Sequence, residues 1–217
     1  MDTSTLSVAL RTATSRAHES AENSPFVTRL MSGEGTRADF VALTQQLQPV
    51  YVALEAALER YADHPSVAAV HDPALTRAPR LAADLVALGA AEAPGLLPAT
   101  TAYIRRLEGI VRPEALLAHH YVRYLGDLSG GQIIARLVAR HYDIPADGLS
   151  FYTFDTIAKP KVYKDTYRAN LDALDLTPQN RSLVLAEAVE AFLLNQAVFA
   201  DLERARGADL VQVAVGA

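Results

Sequence analysis

The sequence contains no cysteine, which removes disulfides, thiolate metal centres, iron–sulfur clusters and cysteine nucleophiles together. A bound metal would have to be held by histidine, carboxylate or a cofactor. Positive charge is also short: 20 Lys and Arg against 25 Asp and Glu leave a net charge of −5, with a pI near 5.7. The chain as a whole therefore attracts neither nucleic acid nor an anionic bilayer. No uninterrupted apolar run of about 18 residues occurs, and the opening MDTSTLSVALRTATSRAH lacks a charged stretch leading into an apolar one. The expectation is a soluble, cytoplasmic protein without a membrane anchor and with no role in nucleic-acid binding.

Strand-like alternation, internal repeats and low-complexity segments are lacking too. What is present is helical spacing. In residues 5–22, Leu6, Ala9, Leu10, Ala13 and Ala17 share a face, with Ser4 placed to cap it. A second helix is predicted over 38–61, bent at Pro49, and further ones over 74–88, 99–109, 113–142, 160–173 and 178–206. Punctuation falls at Ser32-Gly33-Glu34-Gly35, in 89–98 and at Asp143-Ile144-Pro145-Ala146-Asp147-Gly148. At 217 residues and half apolar, the chain suits one all-α domain over 1–217, with its core in about 5–205 and a small apolar tail over 207–217 that is expected to fray.

The segment 113–142 contains Gly126, Gly130 and Gly131, each costing roughly 1 kcal/mol against alanine inside a helix. Gly126 and Gly130 are four apart and leave a bare strip of backbone on one face. That strip suits close packing against another helix, or a flat body lying on it. Asp127 sits beside it, four residues after Arg123, so the two can form an ordinary intrahelical ion pair or a buried pair next to a ligand. Of six histidines, His18 stands out because Glu22 lies one turn on, where a carboxylate can accept a ring N–H and leave the other nitrogen for a metal. Arg11 lies two turns earlier on roughly the same face.

The string His120-Tyr-Val-Arg-Tyr-Leu-Gly-Asp-Leu-Ser-Gly-Gly-Gln132 strongly resembles the distal-helix signature of heme oxygenases. AHESAENSPF at 17–26, YVALEAALE at 51–59, FYTF at 151–154, KDTYR at 164–168 and AFLLNQAVF at 191–199 resemble the same family in the same order. The resemblance implies a single helical domain with heme b held between a proximal and a distal helix. His18 would be the iron ligand and Glu22 its partner. Gly126, Gly130 and Gly131 would lie over the ring, with Asp127, Arg123 and Tyr51 ordering water beside the reacting edge. Arg11, Tyr121, Lys164 and Arg168 would anchor the propionates, and Phe192, Asn195 and Phe199 would line the distal pocket.

Taken singly, several of these positions read otherwise. Tyr51 suits a core tyrosine, Lys164 with Arg168 a solvated face, and the Phe192, Asn195, Phe199 stripe a plain core. The resemblance implies that His119 and His120 are structural or network residues and not axial ligands. Ser15 and Val122 depart from the family pattern near the anchors and the water network. The implied activity is ring opening of heme by dioxygen to biliverdin, principally the alpha isomer, carbon monoxide and ferrous iron. Electrons would come from an external ferredoxin or flavodoxin with its reductase, since no flavin or nicotinamide fingerprint occurs. The alternative is a heme carrier or sensor that binds through His18 without degrading its ligand.

Overall fold

The computed structural model describes residues 4–91 and 95–215 and contains helices and turns but no strand among them. The helices are α1 (Leu6–Glu22), α2 (Pro25–Ser32), α3 (Arg37–Arg60), α4 (Pro65–Ala68), α5 (Ala78–Ala87), α6 (Pro98–Glu108), α7 (Pro113–Asp127), α8 (Gly131–Tyr142), α9 (Pro160–Asp172) and α10 (Pro178–Val215), with single 3-10 turns at Pro73–Leu75, Ala146–Gly148 and Ser150–Tyr152. Proline opens α2, α4, α6, α7, α9 and α10, where its missing N–H has no intrahelical partner to lose. Of the loop expected over 89–98, positions 92–94 lie outside the described residues.

Three expectations are revised. The helix expected over 113–142 is two helices, because Leu128, Ser129 and Gly130 turn between Asp127 and Gly131. Ser4 does not cap α1: the N-cap is Thr5, whose side chain makes no capping bond, and the Asp172 carboxylate of α9 accepts the Ser7 amide instead at 2.7 Å. The last helix continues past Gly207 to Val215, where a frayed tail was expected; positions 216–217 lie outside the described residues. Helices α2 and α4 escaped the periodicity because they span only two turns and one. Pro49 lies inside α3, as expected, and α3 begins with a capping box in which Thr36 and Asp39 satisfy each other's backbone amides.

Two apolar clusters make the core. One is centred on α3 and gathers Phe40, Val50, Leu54 and Leu58 with Leu30, Leu81, Leu107, Leu116 and Val138. The other joins Leu6 and Leu10 of α1, Leu117 and Val122 of α7, Tyr167 and Leu171 of α9, and Val184, Ala188 and Ala191 of α10. Helix α10 is apolar enough over Pro178–Gly207 to span a bilayer by length and composition, and it packs against α1, α6 and α7. Tyr142 at the end of α8 donates to the Leu30 carbonyl at 2.7 Å and accepts the Gly35 amide at 3.2 Å, fastening α8 to α2.

The back of α7 carries two neutral buried histidines. His119 Nε2 meets Glu187 Oε1 at 2.8 Å, and His120 Nδ1 meets the Tyr167 hydroxyl at 2.8 Å. Burial lowers the pKa of both, His120 to about 3, while hydrogen bonds from His119 and Arg106 overcome burial at Glu187 and hold it at about 2. In the unfolded chain His120 takes up a proton from pH 6.5 downward, so the stability it contributes is complete above that pH and drains as the pH falls toward 3. Urea unfolding between about pH 7.5 and 4.5 is expected to lose up to about 1.4 kcal/mol per pH unit through His120. His120→Leu should flatten that slope while costing about 1–3 kcal/mol at neutral pH, because Tyr167 loses its partner; an unchanged slope would put the acid sensitivity elsewhere.

Candidate functional site

At the seam between the two apolar clusters lies a cavity of about 770 Å3, within the size range of ligand pockets. Helix α1 forms one wall. His18 is half exposed, its Nδ1 stands 3.4 Å from Glu22 Oε2, and its ring meets Phe192 of α10 edge-on at 5.5 Å between centroids. The carboxylate thus faces Nδ1 and leaves Nε2 as the nitrogen free to bind a metal. Arg11, Tyr121 and Arg168 border the same cavity. Lys164 does not: its ammonium donates to Ser129 Oγ at 2.9 Å, and it is Ser129 that borders the cavity.

The turn between α7 and α8 forms another part of the wall. The Gly126 carbonyl accepts the amides of Ser129 and Gly130 at 3.1 and 2.8 Å, closing the turn. A Cβ at Gly126 would meet nothing within 4 Å, and one at Gly130 only the Gly126 carbonyl at 3.7 Å. Neither glycine is therefore there to let another helix approach; both present bare backbone to the cavity. Gly131 differs. A Cβ there would come 3.1 Å from the Tyr152 ring, so its smallness serves packing even though it also borders the space.

Behind this turn three helices meet in one polar cluster. Tyr51 of α3, fully buried, donates its hydroxyl to Asp127 Oδ2, and Arg123 Nε donates to the same hydroxyl at 3.1 Å. A second Arg123 nitrogen donates to Asn195 Oδ1 of α10, and the guanidinium lies 4.7 Å from the Tyr51 ring centroid. Arg123 and Asp127 form no direct ion pair among the described residues; Tyr51 stands between them. Burial pushes Asp127 up to about 6, against the pull of Arg123 and the Tyr51 hydrogen bond. Burial also lifts Tyr51 well above its ordinary value, so it remains a donor. At Arg123 burial opposes the charge, but Tyr51 and Asp127 more than offset it and the pKa rises. Asp127 borders the cavity while Tyr51 supports it from behind.

Sequence reasoning missed much of the remaining lining. Val27, Leu30 and Met31 of α2, Leu43 and Leu47 of α3, and Ile133 and Ile134 of α8 supply apolar sides, and Phe151 and Tyr152 come from a 3-10 turn. That turn is held from a distance. Asp84 accepts the amides of Ser150 and Phe151 at 2.8 and 2.9 Å, and Arg77, 2% exposed, donates to the carbonyls of Phe151 and Thr153 at 3.1 and 2.6 Å. Nothing local in the sequence signals these bonds. Phe192, Asn195 and Phe199 all border the cavity, whereas His119 and His120 do not.

The residues present fit a flat apolar ligand carrying a metal and peripheral carboxylates. Bare glycine backbone, an imidazole, apolar sides and two arginines line one cavity. The family model for heme oxygenase matches residues 4–201. Human heme oxygenase 1 is 39% identical over 206 residues, covering 91% of this chain and 72% of that protein. Heme oxygenase 2 of Synechocystis is 35% identical over 216 residues, covering 95% of this chain and 84% of that protein. The solved heme oxygenase of Leptospira interrogans superposes with a TM-score of 0.86 at 36% identity, over 90% of this chain and 98% of that one. Synechocystis heme oxygenase-2 in complex with heme and NO superposes at 0.88 with 34% identity, over 98% of this chain and 88% of that one. Match, relatives and architecture agree over almost the whole length, and the chain belongs to the heme oxygenase family.

Proposed function

We propose that the cavity binds heme b through His18, and that the protein opens the porphyrin with dioxygen and electrons to yield biliverdin, principally the alpha isomer, carbon monoxide and ferrous iron. Heme degradation is the activity of the family; the proposal concerns the ligand's identity, the product and the residues that act. The observation that carries it is the one cavity lined by both His18 and the bare backbone of Gly126 and Gly130, with Asp127 fixed beside them by Tyr51.

Heme supplies the iron that binds dioxygen and also the ring that is broken. The protein's own part is positional and electrostatic. His18 binds by Nε2 because Glu22 faces Nδ1. Gly126 and Gly130 restrict the space above the ring without adding an acid or base of their own. Asp127 gives one oxygen to Tyr51 and leaves the other to hold water, and its pKa of about 6 suits passing protons near neutral pH. Arg123 and Asn195 keep Tyr51 and Asp127 in place. Arg11, Tyr121 and Arg168 anchor the propionates, with Lys164 joined to the cavity through Ser129. An external ferredoxin or flavodoxin with its reductase supplies electrons at the exposed edge, where such cations favour an acidic partner. A soluble, cytoplasmic setting belongs to this reading, supported by the packing of α10 against α1, α6 and α7.

The test is a titration with one equivalent of hemin, followed by oxygen and a reductase system with catalase present. Wild type is expected to give a histidine–heme spectrum that decays to biliverdin with carbon monoxide released, and His18→Ala to lose that spectrum. Heme bound through His18 that survives a competent donor would make the protein a carrier or sensor. Asp127→Ala is expected to bind heme normally, to lose roughly 100-fold or more of its ring-opening rate, and to gain peroxidase-like chemistry; wild-type biliverdin yield in that variant would refute the assignment.

Gly126→Ala separates stability from function. Its methyl meets no protein atom, so the ligand-free protein is expected to gain up to about 1 kcal/mol, while hemin affinity falls because the methyl occupies ligand space. Equal losses of both in calorimetry and titration would mean that the glycine serves packing.

A further inference from the structure

Helix α9 carries three polar residues four apart on one face, Lys164, Arg168 and Asp172, and each reaches a different part of the cavity's frame. Lys164 holds Ser129, in the middle of the glycine turn, at 2.9 Å. Arg168 borders the cavity and is steadied by Asp165 at 3.0 Å. Asp172 accepts the Ser7 amide at 2.7 Å and the Ser7 hydroxyl at 2.8 Å. Ser7 lies in the first turn of α1, the helix that carries Arg11 and His18, and the residue at the N-cap of that helix makes no side-chain cap of its own. Asp172 therefore supplies, from 165 residues away, the anion that a helix start needs. The adjoining stripe of α9 is fixed: Tyr167 and Leu171 are buried in the apolar cluster shared by α1, α7 and α10, and the Tyr167 hydroxyl meets His120.

We infer that α9 is a spacer setting the gap between the His18 helix and the glycine turn, with Asp172 and Lys164 as positioning residues at its two ends, and that this spacing selects which porphyrin edge is presented for ring opening. One end of α9 fixes where α1 begins along its own axis, and hence the height of His18 and Arg11. The other end fixes the turn on which Gly126 and Gly130 lie. Arg168, between them, is aimed at a carboxylate of whatever occupies the gap. A shift at either end changes the register of Arg11 against Arg168, and with it the in-plane rotation of a ligand held by both. Exposed bonds of this kind add little to global stability; their effect is directional.

The selectivity half of this inference rests on the proposed ring opening, and the spacer half does not. Asp172→Ala, Ser129→Ala, Asp172→Asn and Thr166→Ala, the last an exposed α9 position off that face, are compared with wild type by two measurements. Amide hydrogen exchange on the heme-free protein is expected to quicken roughly fivefold over the first turn of α1 in Asp172→Ala and over residues 126–131 in Ser129→Ala, the scale of one lost cap. Product chromatography after hemin turnover is expected to show a second biliverdin isomer rising severalfold in both variants, with Asp172→Asn and Thr166→Ala retaining the wild-type ratio. Exchange unchanged at both sites overturns the spacer. Faster exchange with an unmoved isomer ratio overturns the control of selectivity. If wild type makes no bilin at all, the proposed function falls, and exchange alone still decides whether α9 spaces the walls.

Discussion

The guanidinium of Arg123 is the constraint around which the cavity is organised. A cation only 8% exposed is tolerated inside a fold only when its protons and its charge are met. Arg123 meets that demand with the Tyr51 hydroxyl of α3, the Asn195 carbonyl oxygen of α10 and, one bond further on, the Asp127 carboxylate. Three helices distant in sequence are tied at one point, immediately behind the glycine turn. Removing any one partner would leave a buried polar group unmet, a penalty of about 1–3 kcal/mol, so the geometry of the turn and the stability of the bundle are set by the same bonds.

This arrangement also explains why Asp127 can sit beside a reactive centre without being a free acid there. Its orientation is fixed by a tyrosine that burial keeps protonated, and its pKa is a balance of burial against Arg123 and that tyrosine. A direct ion pair with Arg123 would have pulled the carboxyl low and left it a permanent anion. Interposing Tyr51 keeps the charge partner near enough to orient, yet distant enough for the carboxyl to exchange a proton near neutral pH.

What was legible in the sequence is what depends on local spacing. The pairing of His18 with Glu22 is an i,i+4 relation on one helix, and the shared exposure of Gly126 and Gly130 is another; both can be counted along the chain. The helices with several turns of apolar stripe were readable for the same reason, and the break after Asp127 was not, because the apolar stripe continues across it. Contacts that join distant segments left no trace. Arg77 and Asp84 hold the Ser150–Tyr152 turn through backbone groups, which any sequence offers equally. Ser4 is a good capping residue by type, but α1 starts one residue later and is capped from α9. The position of Tyr51 between Arg123 and Asp127 follows from how α3 crosses α7, and no pattern along either helix announces it.

The fastening of Tyr142 has a mechanical side. Helix α8 is tied to α2 at its far end through that hydroxyl, while its near end begins at the glycine turn. Twelve residues give a rod of about 18 Å at 1.5 Å per residue, so a tilt of about 5° about the Tyr142 end carries Gly131 through roughly 1.6 Å. The helix is thus a lever with its pivot remote from the ligand, so a rotation of that size at the Tyr142 joint becomes a change in clearance over the cavity comparable to an atom's radius, and the bonds that Lys164 and Gln132 make near the turn are what hold that clearance.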